Sequence, residues 1–381
     1  MSGARSTGEV AFLIEPTRLA RESVVELPRY KTGVSPHLLK ALDSGASVTR
    51  LGSNENLYGA SPRVDEAIRS VRDVNLYPDG ENTVLRQALA AHLGVDADRV
   101  IVSTGSENVL SALFQCVLAP GDSVVTLAPT FMLAEILTRA LGAVHVGVSY
   151  GDDLDYSAEA LVDAVNAGPK IVYISNPNNP TGNAFSPDEL SRIVSQTSPS
   201  TLVVVDEAYY EYARRHDGFE SSLPVLDACG RPYVVLRTFS KAYGLAGLRV
   251  GYGICYHPEL LPLVRRASTV FDVGAISQTA ALAALGDQAH MEQVVDKTLV
   301  EKQRLLSALA EREMRVFPAF GNFVSLWFHD HREALELENN LAQHSVFVKA
   351  LPARPSEGVV RVSVGRPQDT DRFLEVLARI S

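Results

Sequence analysis

The chain has 381 residues, more than a single compact core usually holds, so two unequal domains or one large domain with an appendage are expected. Hydrophobic residues make up 46 % and charged residues 21 %, which excludes a disordered chain and allows a sizeable core. The net charge of -10 argues against nonspecific binding to nucleic acid or to an anionic membrane, because both need a basic surface.

The three cysteines are widely spaced and odd in number: Cys116, Cys229 and Cys255. They match neither a disulfide framework nor a zinc-binding spacing, so we expect a reducing compartment, the cytoplasm by default, and no metal site. Residues 1–13 lack the apolar core of a secretory signal. No uninterrupted apolar stretch is long enough to span a bilayer, so no membrane association is expected.

From about residue 50 to 255, short apolar runs rich in β-branched residues alternate with helical patterns. The predicted strands are Arg99–Ser103, Ser123–Leu127, Lys170–Ser175, Thr201–Val205, Tyr233–Arg237 and Arg249–Cys255. Such alternation is typical of an α/β fold with a mainly parallel sheet covered by helices. Because ligands bind beyond the carboxyl ends of the strands in open α/β sheets, we expect the functional site at the turns that follow them.

The pattern changes after about residue 275, where a long helical stretch, Gln278 to Arg312, precedes apolar strands and a final helix. These strands are predicted at Asn322–Phe328, Val346–Lys349 and Val359–Val364. The order predicts a smaller α+β domain. We therefore expect an N-terminal arm that also joins the small domain at 1–50, a large domain at 51–270 and a small domain at 271–381.

The motif Thr238-Phe-Ser-Lys-Ala-Tyr-Gly-Leu-Ala-Gly-Leu-Arg249 follows a predicted buried strand and places Lys241 beside two hydroxyls. A lysine is a nucleophile only as the free amine, which desolvation or nearby positive charge favours. Thr238, Ser240 and Arg249 can hold a phosphate through hydroxyl donors and a bidentate guanidinium. The alternative is a glycine-rich loop with a solvated lysine.

A second motif ends the apolar run Thr201–Val205 in a carboxylate, Asp206, with Tyr209 three residues further on. An ionised aspartate at a buried strand end is costly unless it is paired. A protonated pyridine nitrogen would be such a partner, and the pair would keep the ring able to delocalise a carbanion. Tyr209 could then reach a phenolic oxygen of that ring. The alternative is an aspartate that caps the next helix.

The loop Asn176-Pro-Asn-Asn-Pro-Thr-Gly182 follows another predicted strand, and its two prolines hold it extended. Its Asn179 amide can donate to the same phenolic oxygen. Phe131, in Pro129-Thr-Phe-Met, would stack on the ring if it lies beyond its strand. The alternative for Phe131 is an aromatic of the core.

The segment Thr104-Gly-Ser-Glu107 precedes a helix with apolar periodicity and fits a capping box. The same position allows another interpretation. Free N–H groups at Gly105 and Ser106, together with the positive end of the helix, would bind a phosphate.

At these residues the chain resembles the fold-type I aminotransferases that depend on pyridoxal-5'-phosphate (PLP), and within them the histidinol-phosphate aminotransferase family. The resemblance runs from about Leu27 to Ile380. It is carried by Leu51–Gly59 (LGSNENLYG), Asn75–Asp79 (NLYPD), Ser175–Gly182 (SNPNNPTG), Val205–Tyr209 (VDEAY) and Arg237–Arg249 (RTFSKAYGLAGLR). It implies a large PLP-binding domain with a mainly parallel, seven-stranded sheet and a smaller α+β C-terminal domain.

The resemblance also implies roles for the matching residues. Lys241 would carry PLP as a Schiff base, Asp206 would pair with the pyridine nitrogen, and Tyr209 would contact the ring hydroxyl with Asn179. The residues implied around the cofactor phosphate and ring are Gly105, Ser106, Glu107, Phe131, Thr238, Ser240 and Arg249. Tyr77 would reach the cofactor phosphate of the neighbouring subunit, which implies a homodimer with shared active sites.

The substrate-facing positions that the resemblance implies are Tyr30, Asn179, Asn322, Lys349 and Arg361. Two residues depart from the family pattern. Leu57 stands where the family usually has proline, and Lys349 stands where arginine is common. A lysine keeps the charge but loses the bidentate fork that suits a phosphate, and Arg354 in the following loop could compensate. The alternative for Arg361, on a strand with valines on the other face, is a structural ion pair.

The expected reaction is the ping-pong transfer of an amino group from L-histidinol phosphate to 2-oxoglutarate. One alternative is an aminotransferase of aromatic or specialised amino acids, and another is a PLP-dependent decarboxylase of a phosphorylated amino acid. A PLP sensor fused to a DNA-binding module is disfavoured, because the segment before the aminotransferase pattern is too short for a winged helix and the chain is acidic.

Overall fold

The computed structural model describes residues 16–27 and 48–380, and its main element is a β-sheet of seven strands. A two-residue strand, β1 (Thr49–Arg50), precedes that sheet. The seven strands are β2 (Val100–Ser103), β3 (Ser123–Ala128), β4 (Val144–Ser149), β5 (Ile171–Ser175), β6 (Leu202–Asp206), β7 (Tyr233–Thr238) and β8 (Gly251–Cys255). They lie in the order β2-β8-β7-β6-β5-β3-β4.

The sheet is mainly parallel, as predicted. Strand β8 runs antiparallel to both of its neighbours, whereas the pairs from β7 to β4 are parallel. The central strands β5, β6 and β7 are buried along their whole length, which is why they read as continuous apolar runs. Register pairs Ser175 with Asp206, so the loops after β5 and β6 leave the same edge of the sheet.

Strand β4 lies at one edge of the sheet and is absent from the strands predicted from the sequence. Its Val144 and Val146 are 54 % and 39 % exposed, and Gly147 interrupts its apolar pattern. A half-exposed edge strand carries a weaker hydrophobic signal than a buried central strand.

Helices cover both faces of the sheet, and an apolar core cluster lies on each face. The α-helices are α1 (Glu22–Val25), α2 (Pro62–Ser70), α3 (Thr83–Leu93), α4 (Ser106–Val117), α5 (Leu133–Ala140), α6 (Ala158–Val165), α7 (Pro187–Ser195), α8 (Tyr210–Ala213), α9 (Ser222–Cys229), α10 (Leu260–Arg266), α11 (Ala275–Leu285), α12 (Gln288–Ala310), α13 (His331–Gln343) and α14 (Pro367–Ile380). Short 3-10 turns lie at Pro16–Arg18, Ala97–Arg99 and Ala246–Leu248.

The predicted helical stretch from 278 to 312 is two helices, α11 and α12. The break falls at Gly286 and Asp287, where the Asp287 side chain accepts from the His290 N–H and so caps α12. Aspartate is a favoured N-cap because its side chain satisfies an unpaired N–H of the first turn.

The C-terminal part contains a three-stranded antiparallel sheet in the order β11-β12-β9. Its strands are β9 (Phe323–Phe328), β11 (Lys349–Pro352) and β12 (Gly358–Ser363). The predicted strand 346–349 is divided, because β10 (Val346–Phe347) pairs in parallel with β1 instead. Residues just before position 51 thus join the C-terminal part, while the boundaries at 50 and 270 stay a prediction.

Within residues 16–27 and 48–380, no helix combines the length and the apolar character needed to cross a membrane.

Candidate active site

Lys241 lies in the loop after β7, at the edge of the sheet where the sequence predicts the site. Its Nζ donates to the Ser53 carbonyl at 3.3 Å and lies 5.6 Å from the centre of the Tyr209 ring. Burial, followed by the positive charge of Arg361, lowers the pKa of Lys241 to about 8. A larger fraction of this lysine is therefore the free amine near neutral pH than of a lysine with the ordinary pKa.

Asp206 is the last residue of β6 and is only 5 % exposed. Its Oδ2 accepts from the Tyr173 hydroxyl at 2.8 Å, and its Oδ1 accepts from the Ala208 N–H at 3.1 Å. Burial raises the pKa of Asp206 to about 6, while these two hydrogen bonds oppose the rise. The N-cap of the following helix α8 is Tyr209, so capping that helix is not what Asp206 does.

Asn54 connects Tyr209 to the C-terminal sheet. Its Nδ2 donates to the Tyr209 hydroxyl oxygen at 3.0 Å, and its N–H donates to Ser363 Oγ at 2.7 Å. Asn322, 1 % exposed, donates from Nδ2 to the Asn54 carbonyl at 3.2 Å. Asn54 lies within the string LGSNENLYG but is not among the residues predicted to form the site. Asn54 has a left-handed backbone, φ 53°, a conformation that asparagine adopts more readily than most residues.

The start of helix α4 differs from the predicted capping box. The N-cap is Gly105, with φ 82° and no side-chain cap, and not Thr104. The Thr104 hydroxyl donates to the Asp272 carbonyl, and the exposed Glu107 carboxylate accepts from Arg249 Nη2 at 3.1 Å. The capping-box prediction is therefore wrong, because both of its side chains are bonded elsewhere.

A glycine at the start of β8 lets this helix end approach the loop that carries Lys241. A Cβ added to Gly251 would lie 2.1 Å from the Ser106 nitrogen, so no larger residue fits there. Arg249 donates to Ser240 Oγ at 3.3 Å, and Thr238 donates to the same oxygen at 3.0 Å. Hydroxyls, a guanidinium and the positive end of α4 thus form one cluster suited to an anion.

The loops that carry Phe131 and Asn179 are bonded to each other through Asn178. The Thr130 hydroxyl donates to Asn178 Oδ1 at 2.7 Å, and Asn178 Nδ2 donates to the Pro129 carbonyl at 2.9 Å. Asn178 is fully buried, whereas the two side chains predicted to contact the ring are partly buried. The two loops therefore have a fixed relative position.

Arg361 on β12 reaches the Asn179 loop. Its Nη1 donates to Asn179 Oδ1 at 2.5 Å, and its Nη2 donates to the Gly52 carbonyl at 2.7 Å. Lys349 is its register partner across β11 and β12. Directly opposed residues of an antiparallel pair project from the same face, so the sheet presents two cations side by side.

Arg354 belongs to an ion-pair cluster. Its Nε and Nη2 donate to the Glu357 carboxylate at 3.1 and 2.9 Å, and its Nη1 lies 3.1 Å from Asp152 Oδ1. The Tyr150 hydroxyl and the Trp327 indole N–H also donate to Glu357. These contacts occupy the guanidinium that could otherwise compensate for Lys349.

Tyr77 is 82 % exposed, and its ring stacks on Phe271 at a centroid distance of 4.7 Å. The structure thus places it at the surface of its own chain, beside a groove of about 400 Å³ lined by residues that include Asp79, Asn82 and Asp272. Tyr30 lies outside the described residues.

The residues that converge here fit PLP by their chemistry. After burial and its hydrogen bonds, the charges of Glu107 and Lys241 act on the pKa of Asp206, and the charges of Glu107 and Arg249 also act on the pKa of Lys241. The carboxylate, the amine and the anion-binding cluster therefore belong to one site. PLP offers a phosphate, a pyridine nitrogen, a ring hydroxyl and an aldehyde. The site has a potential partner for each of these groups.

Comparisons with known proteins agree with this chemistry. The sequence profile of the family described as aminotransferase class I and II matches residues 46–377. Histidinol-phosphate aminotransferase 1 of Mesorhizobium japonicum is 40 % identical over 363 residues, which cover 95 % of this chain and 98 % of that protein. An aromatic amino acid aminotransferase of Cutibacterium acnes is 33 % identical and covers 94 % of this chain and 96 % of its own.

Among solved structures, histidinol-phosphate aminotransferase from Sinorhizobium meliloti in complex with pyridoxal-5'-phosphate superposes with a TM-score of 0.85 at 29 % identity. The alignment covers 98 % of this chain and 100 % of that one. The similarity to histidinol-phosphate aminotransferases therefore extends over nearly the whole chain, in sequence and in fold.

Proposed function

Because the chain belongs to the class I and II aminotransferases, we propose that it transfers the amino group of L-histidinol phosphate to 2-oxoglutarate, with Lys241 as the residue that carries PLP. The chain is a PLP-dependent aminotransferase that acts on an amino donor and a 2-oxo acid. The identity of the donor and the roles of individual residues are the proposal.

PLP supplies an electron-accepting ring that stabilises negative charge on a substrate carbon. Lys241 has the properties that this chemistry requires, since an amine with a pKa of about 8 can both release and take up a proton at Nζ near neutral pH. Asp206 would face the pyridine nitrogen as a carboxylate. Tyr209 and Asn179 would hold the ring hydroxyl.

The phosphate of PLP would lie at the start of α4, held by Ser106, Ser240, Thr238 and Arg249. Glu107 contacts this phosphate site indirectly, through its ion pair with Arg249. That carboxylate orients the guanidinium, and its exposed position allows it to move aside for a dianion. Gly105 would contribute its backbone at the helix end, and Phe131 would stack on the ring.

One observation carries the choice of donor. Lys349 and Arg361 are register partners on neighbouring strands, and Arg361 already reaches the loop of Asn179. Two adjacent cations suit a substrate with a dianionic phosphate better than one with a single carboxylate. Asn322, which donates to the Asn54 carbonyl, and Tyr30 would form the rest of the substrate-binding surface next to these two cations.

An amino-donor screen with 2-oxoglutarate as the acceptor tests this choice. L-Histidinol phosphate should give the highest kcat/KM, and L-histidinol, which lacks the phosphate, should be a poor donor. A preference for phenylalanine or tyrosine would favour an aromatic aminotransferase. Two observations favour this second function: position 349 is a lysine, and the aromatic amino acid aminotransferase of Cutibacterium acnes is 33 % identical to this chain.

We also propose that the enzyme is a cytoplasmic homodimer with shared active sites. Tyr77 supports this assembly, because it projects from the surface of its own chain beside other exposed apolar residues. In a dimer it would reach the cofactor phosphate of the neighbouring subunit. Contiguous exposed apolar residues mark interaction surfaces, and aromatic residues are enriched at subunit interfaces.

A further inference from the structure

The hydroxyl of Tyr173 is a polar group in the middle of a fully buried strand. Tyr173 lies in the middle of β5, is fully buried and donates to Asp206 Oδ2 at 2.8 Å. Its register partner on β6 is Val204, two residues before Asp206. Alternate residues of a strand share a face, so Tyr173 and Asp206 lie on the same side of the sheet.

Packing alone does not require this hydroxyl. Tyr173 belongs to the core cluster between the sheet and helices α4 and α5, with Val204 and Leu236 as neighbours in the same cluster. Phenylalanine would fill almost the same volume without a polar atom. A buried tyrosine hydroxyl costs free energy unless it is hydrogen-bonded, and here its partner is a carboxylate of the active site.

We propose that Tyr173 is a positioning residue of the active site, whose hydroxyl fixes the Asp206 carboxylate in the orientation and ionised form that the pyridine nitrogen of PLP requires. The inference rests on the proposed role of Asp206. With Tyr173 on Oδ2 and the Ala208 N–H on Oδ1, each carboxylate oxygen is anchored once and retains acceptor capacity for a further donor.

The charges around this pair decide the sign of the effect. The charge of Glu107 raises the pKa of Asp206, and the charge of Lys241 lowers it. Tyr209 contributes to the raised pKa of Tyr173. Burial raises the pKa of Asp206 to about 6, and the Tyr173 hydrogen bond is the first of the interactions that oppose this rise. Burial, followed by the charge of Asp206, raises the pKa of Tyr173 itself, so Tyr173 remains a donor throughout the working range. Without it, Asp206 would take up a proton at a higher pH.

The variant Tyr173→Phe tests the inference. In full-length protein freed of PLP, the ¹³C resonance of the Asp206 carboxyl, assigned with Asp206→Asn, should titrate near pH 6 in the wild type. In Tyr173→Phe the midpoint should rise by about one unit, a tenfold change in acidity. The control is Tyr233→Phe on β7, a buried tyrosine whose hydroxyl donates to Asp227 instead. Its Asp206 midpoint should equal that of the wild type.

The second readout is the holoenzyme. Tyr173→Phe should weaken PLP affinity and lower kcat by about tenfold at neutral pH, with the KM for the 2-oxo acid unchanged. An unchanged midpoint overturns the inference, as does a shifted midpoint with wild-type PLP affinity, because the bond would then be structural only. Failure of the proposed function is a separate result: the wild type would trap no PLP on Lys241, while the carboxyl titration is measured without PLP.

Discussion

Arg361 donates from its guanidinium to the side-chain oxygen of Asn179 at 2.5 Å, across 182 positions of the chain. This bond joins the C-terminal sheet to a loop of the large sheet. A cation proposed to bind substrate therefore contacts a residue proposed to bind the cofactor. Loss of the Arg361 side chain should affect both.

We expect Arg361→Ala to lower kcat/KM for the amino donor strongly. Removing one partner of a buried charged pair costs about 2–5 kcal/mol, which is roughly a factor of thirty to several thousand. Steady-state kinetics measure the loss. Arg332→Ala, which removes an exposed arginine paired with Asp330, is the matched control and should behave as the wild type. A kcat/KM within threefold of the wild type would remove Arg361 from the substrate site.

Lys349→Ala should discriminate between donors. If Lys349 contacts a phosphate, its removal should reduce kcat/KM for histidinol phosphate by at least about tenfold more than for phenylalanine, since a charge-assisted contact is worth about 1.5–3 kcal/mol. Lys170→Ala provides the control, because Lys170 is exposed and precedes β5 at the end opposite the site. Equal losses for the two donors would contradict phosphate binding by Lys349.

Lys241 should be the lysine that captures PLP. Borohydride reduction followed by peptide mapping should find the label on Lys241 in the wild type and none there in Lys241→Ala. Lys302 is an internal control: burial lowers its pKa to about 7, but its Nζ donates to the backbone carbonyl of Gly321 at 3.0 Å and not to a residue predicted to hold PLP. Labelling of Lys302 instead would show that low pKa alone selects the lysine.

Capture of PLP should also depend on pH. The pKa of Lys241 is lowered to about 8, so its reactive free amine is the minor form below that pH and the major form above it. The rate at which PLP-free protein captures PLP should rise with pH and level off above about 8. A rate that continues to rise to pH 10 would indicate a lysine with its ordinary pKa.

A test of shared active sites follows from the exposure of Tyr77. Mixing inactive Lys241→Ala subunits with weakened Tyr77→Ala subunits should restore one intact site per heterodimer, so activity should rise on mixing. The control mixes Lys241→Ala with Asp206→Asn, whose defects would lie in the site of the same chain, and no activity should return. Absence of recovery in the Tyr77 mixture, after subunit exchange is verified, would place Tyr77 within its own chain.

The sequence predicts best where residues are close in the chain and the strands are buried. Asp206 and the loop of Asn179 follow fully buried strands, whose apolar runs end abruptly at a polar residue, so their place at one sheet edge could be predicted. The parallel sheet was predictable for the same reason. The exposed edge strand β4 has no such signal.

Contacts between distant segments were harder to predict. Asn54 bonds to Tyr209 across 155 positions, and no local pattern indicates such a partner. Tyr173 carried a weak signal, since a tyrosine in a buried strand needs a hydrogen-bond partner. The capping box failed because Asp272, 168 positions from Thr104, competes for the threonine hydroxyl.

The ion-pair cluster around Arg354 restricts how the donor preference can be redesigned. Each of its three guanidinium nitrogens already faces Glu357 or Asp152, so recruiting Arg354 to a new anionic substrate would strand a largely buried glutamate without its counterion. A change at position 349 would leave the ion pair of Arg354 with Glu357 intact. An engineer who wants a bidentate fork beside Arg361 would begin with Lys349→Arg and leave residue 354 untouched.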